Sequence, residues 1–295
     1  MTMPTVEALR SYEAAGGIIR EIRRELPARV RAGAPLLELA QYVEGRVVAL
    51  GGTPAFPCNL SVNAVASHST PHADDRRELR AGDLLKVDFG ACVDGYIADA
   101  AVSFGVGTDE HVLLIAAAER ALDSAIAMIR SGVKAGEIGR AIEASACGDG
   151  FNVLRGLYGH NLGRNCLHGG LTIPGYDDGS RKKIRDGDIL AIEPFLTPGS
   201  GNILRTEGGD IFQLVRPGGL RLVEEDEKKL LSHIERKYNG FPFARRWLPE
   251  PGALGRLVRD AIVMEYPLLV EGDGAPVAQA EHTILVSQDG CRIIT

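Results

Sequence analysis

RAGDLLKVDFG, residues 80–90, and RDGDILAIEPF, residues 185–195, are one pattern written twice. Each runs Arg, a free position, Gly-Asp, two apolar residues, a free position, an apolar residue and a carboxylate, aligned without a gap. Asp88 and Glu193 fall on the same position, 105 residues apart (193 minus 88). Gly-Asp reads as a turn and the apolar run after it as a strand. One such turn before a strand is commonplace, whereas a match along the whole pattern points to internal duplication. Two halves that each deliver a carboxylate at the end of an equivalent strand bring both carboxylates toward a pseudo-two-fold axis.

Outward from the first copy, YIADAAVSF (96–104) follows Asp94-Gly95, a dipeptide suited to a two-residue hairpin turn. Closure there sets Val93 opposite Tyr96, so paired numbers sum to 189 and Asp88 faces Ala101. Asp99 is then the diagonal neighbour of Asp88, on the same face, with backbones roughly 7–8 Å apart. Unpaired like charges among apolar strands are costly. Glu193 in ILAIEPF and Glu281 in AQAEHTILV repeat the anomaly, and His160 sits in the Gly-flanked YGHNLG. Singly, each has an ordinary explanation, a turn histidine or a carboxylate paired with arginine. Together, four carboxylates and one imidazole suit two divalent first-row cations roughly 3.5–4 Å apart.

Apolar residues at helical spacing predict two helices within residues 5–50, parted near Pro35, and two more over 110–131 and 136–147. Strand-like runs lie between them in mixed order, which favours an α+β fold with antiparallel hairpins. Residues 225–270 interrupt the second half and read as an inserted helical subdomain. The 33 basic against 39 acidic residues, net −6, argue against a nucleic-acid or anionic-membrane binder, so the basic run RKKIR (181–185) is expected to be a solvated loop. The start has no signal-peptide core and no stretch approaches a membrane span, which predicts a soluble, cytoplasmic protein. Five scattered cysteines without C-x-x-C spacing predict buried thiols rather than a disulfide framework or a structural zinc knuckle.

The segments FPCNLSVNAVASHSTPHADD, GDLLKVDFGACVDGYIADAAVSF, GHNLGRNCLHGGLTIPG, LAIEPF, FARRWL and AQAEHTILV, in that order, resemble the methionine aminopeptidases of the pita-bread (creatinase/aminopeptidase-like) fold. The resemblance runs from about residue 5 to the end. FARRWL and the 225–270 insertion look like the type II subfamily, and the short N-terminal stretch is more similar to its archaeal members. This implies a single catalytic domain over 1–295 with the insertion inside it. By position, Asp88, Asp99, His160, Glu193 and Glu281 match the five ligands of two divalent ions, with Co, Mn, Fe, Zn and Ni all compatible. His68 and His168 match the histidines that touch substrate around the scissile bond. Phe56 and Tyr266 match the methionine pocket, with Leu167 and Phe195 as further walls. His111 and His233 are expected on helix surfaces, His72 in a loop, and His282 pointing away from Glu281. Two departures stand out: residues 196–232 lack the extra pocket histidine of eukaryotic type II enzymes, and Arg164 has no assignable role.

The implied activity is removal of the initiator methionine from nascent proteins and peptides with a small second residue. Glu193 is expected to shuttle the proton, and His68 and His168 to donate to the carbonyl or hold the peptide backbone. The expected partners are the N-terminal methionine of nascent polypeptides and, transiently, the ribosome. No membrane or specific nucleic acid is expected, and the chain is expected to be a monomer. Two alternatives share the fold. A proline-specific aminopeptidase carries a large extra N-terminal domain, for which about 60 residues before His68 leave no room. A non-catalytic pita-bread binding protein lacks metal ligands, whereas all five positions are filled here.

Overall fold

The Gly-Asp turn is built alike in both copies of the repeat. Gly82 and Gly187 take φ of +95° and +84°, the left-handed conformation that glycine adopts without a Cβ penalty. The Arg80 N–H donates to Asp83 Oδ2 and the Arg185 N–H to Asp188 Oδ2, both at 2.7 Å. Upstream, the Leu36 N–H meets the Arg77 carbonyl at 3.0 Å and the Ala135 N–H meets Lys182 at 2.8 Å. Bridges pair Pro35 with Glu78 and Lys134 with Lys183. The same contacts recur in both copies, the strand side shifted by 105 residues (182 minus 77) and the helix side by 99 (135 minus 36), so the duplication extends from the strands to the helices that precede them.

The computed structural model describes residues 3–215, 224–238 and 240–295; Met1, Thr2, 216–223 and Asn239, parts of the expected 1–295 and 225–270 spans, lie outside the described residues. In the first half, α1 (Val6–Glu25) and α2 (Leu36–Ala49) flank the break at Pro35. The Thr5 side chain caps α1 by accepting from the Ala8 N–H at 3.2 Å, and its buried stripe, Tyr12, Ile18, Ile19 and Ile22, packs on the Leu84–Val93/Tyr96–Gly105 hairpin. Each such side chain contributes roughly 1.5–3 kcal/mol on burial. In the second half, α3 (Val112–Met128) and α4 (Ala135–Gly148) share a separate core with Ile173, Leu190 and Ile284.

A four-stranded sheet carries the hairpin together with Asn59–Val62 and Thr53–Pro54, and a five-stranded antiparallel sheet carries Ile189–Ile192, His282–Val286 and Tyr158–Leu162. Residues 225–270 hold helices α5 (Glu225–Tyr238) and α6 (Leu254–Arg259), and strands as well. They join Ile211–Leu214 around a third core of Phe212, Leu230, Ile234, Phe243 and Leu254. Among the described residues no helix is long and apolar enough to cross a membrane.

Three expectations need correction. His111 is buried, its Nε2 on the Gly82 carbonyl at 3.0 Å, because the residue ahead of α3 tucks under the first Gly-Asp turn. Only Cys58 and Cys92 are buried; Cys147 and Cys166 are exposed, in a helix end and a loop. Glu193 and Glu281 lie between strands rather than within them, since Pro194 has no N–H to donate to a ladder.

Candidate metal centre and apolar cavity

The hairpin closes at Asp94 and Gly95, with φ of +53° and +87°, the handedness of a two-residue turn. Asp88 faces Ala101 and Asp99 faces Gly90, so both carboxylates leave one face. Glycine at position 90 is required by a close approach: a Cβ there would lie 2.5 Å from Phe56 Cε1. The second half is stitched on at this point. The Thr283 hydroxyl accepts from the Asp99 N–H and donates to the Asp99 carbonyl, both at 2.8 Å, and the Glu281 N–H donates to Ala101 at 3.2 Å.

Glu193 and Glu281 face each other where two strands pass from one sheet to another. On one side His282 pairs with Ile192, on the other Gln279 pairs with Phe195. Both pairs sum to 474, as do 193 and 281, so the register persists through the interruption. His160, paired with Ala191, directs Nε2 to within 3.7 Å of Asp99 Oδ2 and 3.5 Å of Glu193 Oε1. Ligand atoms of Asp99, His160 and Glu281 all lie within 4.8 Å of one another. Gln279, 1% exposed, closes the ring: its Nε2 donates to Asp88 Oδ2 and Glu281 Oε2, each at 3.3 Å. Its signal in the sequence is its place two residues before Glu281, on the same strand face.

Burial pushes the Asp88 carboxyl up to about 7. Asp99 is raised well above the usual carboxylate range by burial and by the Asp88 charge; Glu193 by burial, Asp88 and Asp99; and Glu281 by burial and then Asp99, Glu193 and Asp88, with Arg23 opposing. Burial, with His168 beside it, pulls His160 down to about 3 and keeps it a neutral donor. Among the described residues no lysine or arginine forms an ion pair with these four carboxylates, and Asp99 Oδ1 is buried without any partner. An oxygen-rich shell with one imidazole and no directly paired cation fits divalent cations.

The same cavity is lined by His68, His168, Phe56, Tyr266 and Leu167. The His168 ring stands edge-on to His160 at 4.5 Å between centroids, and the His68 ring to Tyr266 at 5.1 Å. His68 Nδ1 lies 3.0 Å from the Pro267 carbonyl, which only accepts, so Nδ1 carries the proton. Burial pulls its pKa to about 4, leaving Nε2 a neutral acceptor. The Tyr266 hydroxyl donates to Gln213 Oε1 at 2.5 Å. Phe195 is not part of this wall: beyond Pro194 its strand joins another sheet, and the ring packs with Ala66, Leu154, Leu269 and Val277. Leu157, Ile211, Pro242 and Asn59, absent from the sequence expectation, line the cavity instead. Arg164 reaches the Asp94 carbonyl at 3.3 Å, over the Tyr96 ring, and His282 contacts Thr295 and Arg23 away from the centre.

The model of metallopeptidase family M24 matches residues 10–238. A methionine aminopeptidase of Thermococcus onnurineus is 44% identical over 289 residues, 95% of this chain and 97% of that one. One from Methanothermobacter thermautotrophicus is 42% identical over 98% of this chain and 99% of its own. Among solved structures, a thermophilic Arx1 superposes with a TM-score of 0.86 at 18% identity, over 99% of this chain and 91% of its own; at that identity the likeness speaks of fold alone. The duplicated halves, the carboxylate ring and these matches agree, and the chain belongs to metallopeptidase family M24, among its methionine aminopeptidases.

Proposed function

We propose that the protein removes the initiator methionine from nascent polypeptides and peptides with a small second residue, using two divalent ions held by Asp88, Asp99, His160, Glu193 and Glu281. The observation that carries this is the ring of four carboxylates, Asp99 and Glu281 buried and Asp88 and Glu193 half-buried, without a paired lysine or arginine, at one end of a cavity walled also by two histidines and by apolar and aromatic side chains. Gln279 orients Asp88 and Glu281 from outside the ligand shell. Such ions supply Lewis acidity to the scissile carbonyl and to the attacking water.

The remaining tasks fall to this chain's side chains. Glu193, beside His160 and facing Glu281, takes the proton of the attacking water and returns it to the leaving amine. His168, next to His160 on the open side, donates to the carbonyl oxygen as negative charge develops there. His68 serves differently: with Nδ1 committed to Pro267, its Nε2 accepts an N–H of the peptide backbone. Phe56, Tyr266 and Leu167 enclose the first side chain, and a thioether packs well against aromatic ring edges. The chain acts in the cytoplasm as a monomer, in transient contact with the ribosome, with residues 225–270 as an insertion within one catalytic domain. Stripped enzyme reloaded with Mn, Co, Fe, Zn or Ni and offered Met-Ala-Ser beside Ala-Pro-Ala tests the assignment. Cleavage of the methionyl peptide is expected, and faster cleavage of Ala-Pro-Ala overturns it.

A further inference from the structure

Outside the metal centre, a buried ion pair joins the third core to the walls of the cavity. Glu44 on α2 and Arg246 are largely withdrawn from solvent, their side chains 12% and 4% exposed. Glu44 Oε1 accepts from Arg246 Nη2 and from the Cys58 N–H (3.0 Å), and Oε2 from Trp247 Nε1 (2.9 Å). Arg246 Nη1 donates to Thr70 Oγ1 at 2.8 Å and to the Pro71 carbonyl at 2.9 Å. The Thr70 hydroxyl in turn donates to the Cys58 carbonyl at 2.8 Å.

Both backbone polar groups of Cys58 are thereby held, and its neighbours Phe56 and Asn59 line the cavity. Two residues before Thr70, His68 sits at φ +63°, a left-handed conformation that a non-glycine residue keeps only when its surroundings over-determine it. Two residues before Arg246, Ala244 pairs with Ile211, another wall residue. Buried ion pairs seldom add net stability over an apolar replacement, so a planar fork spent on this junction is better explained by the geometry it fixes.

We infer that Arg246, locked by Glu44, is a positioning residue for substrate selection: it sets the Phe56–Asn59 and His68–Thr70 segments at the spacing that admits a methionine side chain. The inference rests on the aminopeptidase assignment but touches none of the proposed metal ligands. The test uses metal-loaded full-length enzyme and the variants R246M, R246K, E44Q and E44Q/R246M. Its readouts are the ratio of kcat/KM for Met-Ala-Ser to that for Leu-Ala-Ser, metal content, and the emission of Trp247, the one tryptophan of the chain, which reports the clamp directly.

R246M leaves Glu44 unpaired and is expected to lose thermal stability; E44Q/R246M removes that charge and recovers it. In both, the ratio is expected to fall about tenfold or more with metal content unchanged, and the Trp247 emission change on adding L-methionine to be lost. R246K, which can reach Glu44 or Thr70 but not both, should lie between. A folded double variant with the wild-type ratio and the wild-type Trp247 response overturns the inference while the assignment stands. A wild type that cleaves Leu-Ala-Ser as well as Met-Ala-Ser overturns the inference and the proposed methionine specificity together.

Discussion

Metal-stripped protein should grow less stable as pH rises, and replacing Asp88 by Asn should remove part of that loss. The Asp88 carboxyl moves from 3.8 to about 7 on burial, on the order of 4 kcal/mol between the two protonation states. The folded pKa lies above the unfolded one, so the folded chain binds more protons in between and stability falls with pH across that window. The contribution is complete below about 4 and lost above about 7. At pH 5 the unfolded chain has already ionised this group, which uses up roughly 1.6 kcal/mol, and the other 2–3 kcal/mol disappears by pH 8. The assay is urea denaturation of stripped wild type and D88N at several pH values. D88N should overtake wild type by about 2–3 kcal/mol more at pH 8 than at pH 5. With Mn or Co present the order reverses, because ions displace the protons and D88N has lost a ligand. A wild type to D88N difference that is flat in pH, or of opposite slope, refutes the account of Asp88 as an acid raised by burial in the carboxylate ring.

His168→Ala should lower kcat by roughly 10²-fold or more with metal content intact, as for a lost transition-state donor; equal loss of metal would make it a ligand or a structural residue. Gln279→Met keeps the volume but removes the shared donor, and calorimetric metal affinity should drop about 10–100-fold; unchanged affinity would reduce Gln279 to a strand residue. Phe56→Ala or Tyr266→Ala should weaken the preference for methionine over leucine or alanine more than it slows hydrolysis, measured as kcat/KM ratios on matched peptides. Wild-type ratios in both variants would place the methionine side chain elsewhere.

The first half of the centre was legible because its geometry is local. Asp94-Gly95 fixes a two-residue turn, the turn fixes the register, and the register places Asp88 opposite Ala101 and Asp99 on the same face. The second half depends on contacts between distant segments. Pro194 breaks a run that strand periodicity reads as continuous, which put Glu193 and Glu281 inside strands; Phe195, matched to the pocket by resemblance, lies beyond that break and packs in another sheet. Gln279 went unseen for a related reason: its donor role exists only once Asp88 arrives from 191 residues away. Ile211 and Pro242 carry no motif at all, and reach the cavity through the packing of the third core.

Duplication explains why so exacting a centre can be assembled from such separate parts. Each half needs only a turn that starts a strand at a defined residue, and Asp83 and Asp188 supply it by receiving the Arg80 and Arg185 N–H groups. Five residues on, Asp88 and Glu193 emerge, and the antiparallel partner in each half brings the second carboxylate, Asp99 or Glu281. Neither half alone completes the ring of Asp88, Asp99, Glu193 and Glu281 around His160, and each leaves two acids that repel. The stitch between halves, Thr283 on both backbone groups of Asp99 and Glu281 on Ala101, is placed at the acids themselves. These hydrogen bonds hold the acids together, so the fold carries an electrostatic cost that bound ions would relieve. In that arrangement stability is given up for a preformed site, which is the expected position of a functional centre within an otherwise consistent fold.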